Sequence, residues 1–443
     1  MFFAPKTTEL VQNAFREAMQ NAQSQRKQST AHRLDLYNNA IIEHMLEQIC
    51  TVYKTPEHVS PVTVNILRKI INRLACVYLQ DATRTIDGTE TDKHIYAVIE
   101  DSTALPVRMK QANRLAKLTG NVLLRPLWRN GSMALDILTG DVLDVVTGDS
   151  PEDLISVLVT HHPQNGRSEE MSYSFWTALE FQRLDYKGKA IETMPNPYGV
   201  LPFIPVWSQP PTDCFWLPGA EDLALVQNAI NERLTDLCYT LRFQSFGVGY
   251  VKGAKTKSTN LGTTVLEAGP SSMLLLPENA EVGFVSPQTP VEACLEAIDK
   301  LMKWAAVSNG LPASSMSLNP TEESGVSKVV SNSELEEHRR DDIAAFARTE
   351  AQLFNLCRIV WNVHNPTQQL SEAATITIDF YDPKPTVTAS EQLKEWQGMM
   401  ELGLLSPVDV LIEKNPDLTR DMAKAKLLQI RDELAEFGQN LLV

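Results

Sequence analysis

The sequence predicts an α+β fold, in which antiparallel strands are set between helical blocks, on three observations. Hydrophobic residues recur at helical spacing up to about residue 118. The period then changes to alternation, punctuated by Gly-containing turns, until about residue 206. Beyond it, two one-sided helices enclose a strand-rich stretch and lead into a helix of about 35 residues and a helical end.

In the first block, helices are predicted near 7 to 26, 32 to 53, 60 to 80 and 106 to 118. Ser60-Pro61 offers an N-cap with proline at the first helical position, and Leu67, Ile70, Ile71, Leu74 and Tyr78 form the apolar stripe that would follow. Gly120 is the expected stop of the fourth helix. Asn130-Gly131, between "NVLLRPLWR" and "SMALDIL", predicts a hairpin. Thr139-Gly140-Asp141, Thr147-Gly148-Asp149, Asn165-Gly166 and Lys187-Gly188 predict the further turns of an antiparallel meander. Five prolines within 196–211 exclude a central strand or a helix there and predict an extended crossing.

A first rod is predicted over 220–244, with Leu223, Val226, Ile230, Leu234, Leu237 and Leu241 as its stripe and Glu221, Asn228, Glu232 and Thr235 away from it. Residues 247–288 revert to short strands. Thr289-Pro290-Val291-Glu292 is a capping box that opens a second rod over 290–308. Its apolar face is Val291, Cys294, Leu295, Ile298, Met302 and Ala305; Glu292, Glu296, Asp299, Lys300 and Lys303 lie opposite, with Glu296–Lys300 and Asp299–Lys303 as acid-first pairs four apart. In "NGLPASSMSLNPTEESGVSK", residues 309–328, Pro312 and Pro320 oppose helix, and Gly310 and Gly325 can act as hinges. The long helix then runs from 327 or 331 to 364, where Asn365-Pro366 stops it; "EEHRRDD" makes its middle polar and Phe346, Leu353, Cys357 and Val360 form a seam. A strand "TITIDFY" and three helices follow, begun by Thr388, by Ser406-Pro407 with Asp409, and near Asp417.

Composition narrows the function. With 443 residues, 43% hydrophobic and 21% charged, the chain has material for two or three globular domains. Lys and Arg number 40 against 55 Asp and Glu, a net charge of -15, the opposite of a protein that grips the DNA backbone. The start "MFFAPKTTELVQNAF" turns polar after four residues, and no apolar run approaches the roughly 18 residues of a membrane span. Six cysteines without a CxxC pair are expected as free thiols on apolar helical faces, in a reducing compartment.

Catalytic patterns are not met. In "GVGYVKG" the third glycine is one place late for a dinucleotide fingerprint, and "GAKTKST" lacks the second glycine of a phosphate loop. His161-His162 stands in a hairpin loop without a ligand partner, and reads as a solvated turn. Ser314, Ser315, Ser317 and Ser324 lack the Gly-x-Ser-x-Gly elbow. The adjacent pairs Glu322-Glu323 and Asp341-Asp342 read as solvated helix surface, because neighbours on a helix do not face each other. No catalytic residue, metal or cofactor is expected, and the chain is read as a non-enzyme.

The order of elements resembles the portal proteins of tailed double-stranded DNA bacteriophages, from about residue 60 to the end. The resemblance is carried by "NPYGVLPFIPVW", "DLALVQNAINERLTDLCYTLRF" leading to "VKG", "VEACLEAIDKLMKWAAVS", "NGLPASSMSLNPTEESGVSK" and "MMELGLLSPVDVLIEKNPDLTRDMAKAKLLQIRDE". It implies a portal-like α+β fold: a wing of helices and antiparallel strands over 1–210, a first stem helix within 211–245, a small β clip over 246–289 and a second stem helix over 290–308. A tunnel loop over 309–326, a long helix returning to the wing over 327–382 and a helical crown over 383–443 complete it. It further implies a homo-oligomeric ring, a dodecamer, at one capsid vertex of the virion, assembled in the host bacterial cytoplasm, with double-stranded DNA passing through. Its partners would be the terminase large subunit, a head-to-tail adaptor protein, and major capsid and scaffolding proteins, with no membrane.

Residue by residue, the resemblance places Leu311, Ser314, Ser315, Met316, Asn319, Ser324 and Lys328 on the channel loop, Glu296, Lys300 and Lys303 on the polar face of the stem, and Lys252, Lys255 and Lys257 at the clip docking site. Two rival classes stay open on the sequence: a helical scaffold or adaptor of the virion without a channel, and an enzyme whose site is assembled from scattered residues.

Overall fold

The computed structural model describes residues 7–18, 20–52, 59–162, 171–246, 248–252, 281–285, 291–316, 333–381, 389–415 and 418–440. The first block forms α1 (Thr7–Ala18), α2 (Asn21–Asn38), α3 (Ile42–Val52) and α4 (Ile66–Leu74), then β1 (Thr83–Asp87), α5 (Glu90–Thr103) and α6 (Leu105–Thr119). Its boundaries differ from those predicted. The second predicted helix is two, because Asn39 turns left-handed at φ 61 and closes α2; asparagine tolerates that region. The third begins at Ile66, capped by the Asn65 side chain, which accepts from the Arg68 N–H at 2.9 Å. Ser60-Pro61 therefore caps nothing. The α5 helix was not predicted, although Thr89 and Asp92 form a capping box ahead of the buried stripe Ile95, Tyr96 and Ile99.

Gly120 closes α6 as predicted, at φ 91, where a Cβ would lie 2.2 Å from the Leu217 carbonyl oxygen; only glycine fits. The β2 strand (Asn121–Arg129) and β3 (Ser132–Thr139) pair across Asn130 and Gly131, both at positive φ as a tight hairpin requires. The predicted single meander is divided. The strands β4 (Leu143–Thr147), β5 (Leu154–His161), β6 (Ser172–Thr177), β7 (Glu180–Leu184) and β8 (Ala190–Pro195) form a five-stranded antiparallel sheet in sequence order, while β2 and β3 stand in another. The proline-rich crossing contributes β9 (Ile204–Trp207) to the edge of that other sheet, in the order β3-β2-β9. An edge is where proline is tolerated. The Asn165-Gly166 turn lies outside the described residues.

The rods follow as α7 (Glu221–Phe246) and α8 (Val291–Val307), with the antiparallel pair β10 (Val248–Lys252) and β11 (Glu281–Val285) between them in sequence. After α8 come a 3-10 turn (Ala313–Met316), α9 (Ser333–His364), and β12 (Thr375–Asp379), which pairs with β1. The helices α10 (Ala389–Glu401), α11 (Pro407–Lys414) and α12 (Arg420–Asn440) form a second compact unit. Ser406 and Asp409 make the predicted capping box; the predicted helix starts at Thr289, Thr388 and Asp417 fall outside the described residues.

The largest core cluster joins α5, α6, α9 and the β2–β3–β9 sheet, and the seam Phe346, Leu353, Cys357 and Val360 is buried in it. A second cluster joins α2, α4, α7 and α8. Cys76 and Cys357 are buried, whereas Cys50, Cys214 and Cys238 are exposed, so apolar packing accounts for only part of the cysteines.

Candidate functional site

The α7 rod meets the rest of its unit through buried polar groups. Gln227 Oε1 accepts from the N–H groups of Ile66 and Leu67 at 2.8 and 3.0 Å, and its Nε2 donates to the Val64 carbonyl. Asn231 Oδ1 accepts from the Val64 N–H at 3.1 Å, and Thr235 Oγ1 from the Val62 N–H at 3.1 Å. Spaced four apart, these three side chains form a ladder that satisfies the backbone of an otherwise unpaired stretch. That ladder is why residues 60–65 do not begin a helix. All three are buried, Thr235 among them although it lies away from the apolar stripe. On the same rod, Glu221 accepts from Arg33 at 2.7 Å, and Asn228 bonds His32 at 3.1 Å.

The α8 rod differs. Only Ile298, Ala305 and Ala306 are buried, while Trp304 is 66% exposed, Val307 55% and Leu295 49%. On its polar side Glu296–Lys300 and Asp299–Lys303 close at 2.7 and 2.6 Å. Exposed pairs of this kind fix side-chain direction more than they add stability.

Just past α8, the segment assigned to the channel loop starts inside the protein. Leu311 and Met316 are 2% and 3% exposed, packed in the cluster of α4, α7 and α8. Neither side chain is free to touch a passing ligand in this conformation, a departure from the residues expected on the loop surface; their apolar bulk is used as an anchor. Ser314 is exposed, and the Ser315 hydroxyl is buried without a partner. Asn319, Ser324 and Lys328 lie outside the described residues, as do Lys255 and Lys257. Lys252 ends β10, in register with Glu281.

The "EEHRRDD" run is not uniformly solvated either. Arg339 is 1% exposed and donates to the carbonyls of Cys76, at 3.2 Å, and Tyr381. Asp342, expected at the surface, accepts from Lys117 at 2.9 Å, and Lys117 also donates to the Ser208 carbonyl at 3.1 Å. Burial raises the Asp342 carboxyl above its ordinary range, against the pull of Lys117. Two turns on, Glu350 receives Arg84 at 2.6 and 2.8 Å and the Tyr78 hydroxyl at 2.6 Å. Burial, then the Glu350 charge, hold the Tyr78 hydroxyl well above its usual pKa. Sequence reasoning missed this cluster, in which Glu350 stands more than 260 residues from Tyr78 and Arg84.

Between the first half of α9 and residues 205–211 runs an open groove of about 910 Å³, lined by Lys117, Trp207, Gly310, Glu334, His338 and Asp342 among others. Along it Lys117 pairs with Asp342 at 2.9 Å and Arg348 with Glu152 at 3.1 Å. Among the described residues no group of three His, Cys, Asp or Glu is placed to hold a metal, and no helix is long and apolar enough to cross a membrane. His161 ends β5 and bonds the Ser174 hydroxyl at 2.7 Å.

Comparison with known proteins bears on this architecture. The family model described as "Phage portal protein, SPP1 Gp6-like" matches residues 21–438. No curated protein matches the chain. Similar solved structures include a chain of the virion of a native gene transfer agent particle, with a TM-score of 0.44 and 14% identity over 77% of this chain and 86% of that one. Others are chains from the neck of the native particle computed with C12 symmetry, at 0.44, 15%, 77% and 87% in the same measures, and from the neck of the empty particle computed with C6 symmetry, at 0.45, 14%, 78% and 88%. The match across nearly the whole length establishes that this chain belongs to the SPP1 Gp6-like phage portal protein family, a family of virion structural proteins.

Proposed function

We propose that the protein closes into a ring of about twelve copies at one capsid vertex, enclosing the channel through which double-stranded DNA is packaged and ejected. The observation that carries this reading is α8: a helix with Trp304, Val307 and Leu295 uncovered in the single chain requires a further surface, and a neighbouring copy is the one always present. The net charge of -15 suits a wall past which a polyanion slides without being held. Ser314, Ser315, Asn319, Ser324 and Lys328 would provide weak, exchangeable contacts to phosphates, with Leu311 and Met316 anchoring the segment. Glu296, Lys300 and Lys303 would form the polar face of the stem.

Residues 246–289, through Lys252, Lys255 and Lys257, would receive the terminase large subunit and later a head-to-tail adaptor. Capsid and scaffolding proteins would surround the ring during assembly in the bacterial cytoplasm. Packaging energy would come from the separate motor, and the purified ring is expected neither to release phosphate from ATP nor to cut DNA. Native mass spectrometry with electron microscopy tests the ring directly. Closed rings of about twelve subunits with a central hole are expected; a monomer or dimer at every concentration and salt would overturn the reading.

A further inference from the structure

The β2–β3–β9 sheet and the five-stranded sheet share an apolar cluster, with Leu123 and Leu138 from the first and Leu143, Val157 and Val159 from the second. Side chains two apart on a strand point to the same face, so the next positions along each strand continue this contact. On β2 that position is Arg125, and on β5 it is His161. On β7, Arg183 stands in register with Ser174, itself the partner of Val159. Past the apolar cluster both sheets turn basic.

The basic groups outnumber their acceptors. Asp136 accepts from both Arg125 and Arg129, at 2.8 and 2.9 Å, while the Arg125 Nε is buried without a partner. Arg183 is exposed and closes no ion pair among the described residues, its cross-strand neighbour Glu192 included. His161 Nε2 bonds the Ser174 hydroxyl at 2.7 Å. The Trp176 Nε1, two residues along β6 from Ser174, is another buried donor without a partner. The two sheets come close here: the Arg125 guanidinium lies 5.9 Å from the Phe203 ring, and that ring 6.0 Å from Trp176. Burial, then the charges of Arg125, Arg183 and His162, lower the His161 imidazole below its ordinary range. Buried donors are normally paired, so this cluster lacks an acceptor, and its positive charge asks for an anionic one.

We propose that Arg125, Arg183 and His161 bind a phosphate group between the two sheets. A tetrahedral oxyanion can accept from donors that converge from separate strands, whereas a carboxylate is matched by one planar fork. Arg125 already directs one arm of its fork to Asp136. The site needs only a single chain, so it stands or falls apart from ring formation.

Calorimetric titration of the purified full-length protein with inorganic phosphate, at about 0.15 M chloride to screen loose surface binding, tests it. One saturable phosphate per chain is expected, weakened about tenfold in Arg183→Gln, the size of one charged hydrogen bond. Arg183 is exposed, so this variant should keep its urea midpoint. Arg125→Gln should weaken binding to a similar degree, and Lys69→Gln, at an exposed position of α4, should leave it unchanged. A short DNA duplex that displaces the phosphate identifies a backbone phosphate as the source, and a duplex without effect identifies a free phosphate; either upholds the site. No saturation by about 10 mM phosphate, or equal affinity in the wild type and both arginine variants, overturns the proposal. Binding that appears only after Glu169 and Glu170 are changed to Gln also overturns it, because the chain's own carboxylates then hold the cluster.

Discussion

The helices α8 and α9 are both one-sided in sequence, yet the chain treats them differently. The α9 seam, from Phe346 through Leu353 and Cys357 to Val360, is covered within its own unit by α5, α6 and the β2–β3–β9 sheet. The α8 helix keeps Ile298, Ala305 and Ala306 inside, while Leu295 on the apolar stripe is 49% exposed and Trp304, on the opposite side, 66%. Polar contacts follow the same division: α9 is tethered inward through Arg339, Asp342 and Glu350, whereas the ion pairs of α8 lie at its surface. Periodicity states that a face must be covered. It does not state by which chain.

The largest effect is expected where α9 is tied most deeply. The side chains of Arg84 and Glu350 are 1% and 2% exposed, so Glu350→Ala removes the buried carboxylate and leaves the buried guanidinium only the partly exposed Glu100, at 3.2 Å. A loss of about 3–5 kcal/mol is expected, read from urea denaturation. An unchanged midpoint would mean that water reaches Arg84 and that α9 is not a finished element.

The second prediction sets the two helices against each other directly. Leu353→Ala removes a buried side chain from the α9 seam and should cost about 2–5 kcal/mol of chain stability. Trp304→Ala on α8 should change the stability of the dissociated chain by no more than about 0.5 kcal/mol, while shifting ring dissociation in native mass spectrometry to higher protein concentration. Equal destabilisation of the dissociated chain by both variants would show that α8 is already covered in the single chain, and the contrast would collapse.

Much of the fold was legible because its signals are local. Asn130-Gly131, Gly120 and the Ser406–Asp409 box each set a backbone angle or a cap from within a few residues, and each is found where predicted. The α5 helix was legible too, from Thr89, Asp92 and the stripe Ile95, Tyr96 and Ile99, and was overlooked. Ser60-Pro61 misled for a physical reason: the backbone that follows it, at Val62, Val64 and Ile66, is claimed by Thr235, Asn231 and Gln227, some 160 residues away or more. The inward turn of Arg339 and Asp342 was hidden likewise, since Tyr381 and Lys117 are invisible from within "EEHRRDD". Of the residues assigned to the channel loop, Leu311 and Met316 carried a hint in being apolar within a hydroxyl-rich segment, and both are core.

The smallest effect sharpens the comparison at Asp342, the weakest tether of α9. Burial raises its carboxyl above the ordinary range, Lys117 at 2.9 Å opposes this without cancelling it, and the second carboxylate oxygen is buried with no partner. The folded chain therefore holds this proton to higher pH than the unfolded chain does. Where the folded state binds more protons, stability falls as pH rises, so the loss begins near the unfolded carboxylate value of about 4 and is complete once pH passes the raised folded value. Asp342→Asn keeps an oxygen to accept from Lys117 and removes the titration. The expected outcome is that the wild-type urea midpoint, measured relative to the variant, declines across that window and is flat above it. A relative rise over the same window would mean that Lys117 outweighs burial, making Asp342 a full ion-pair tether of the same kind as Glu350.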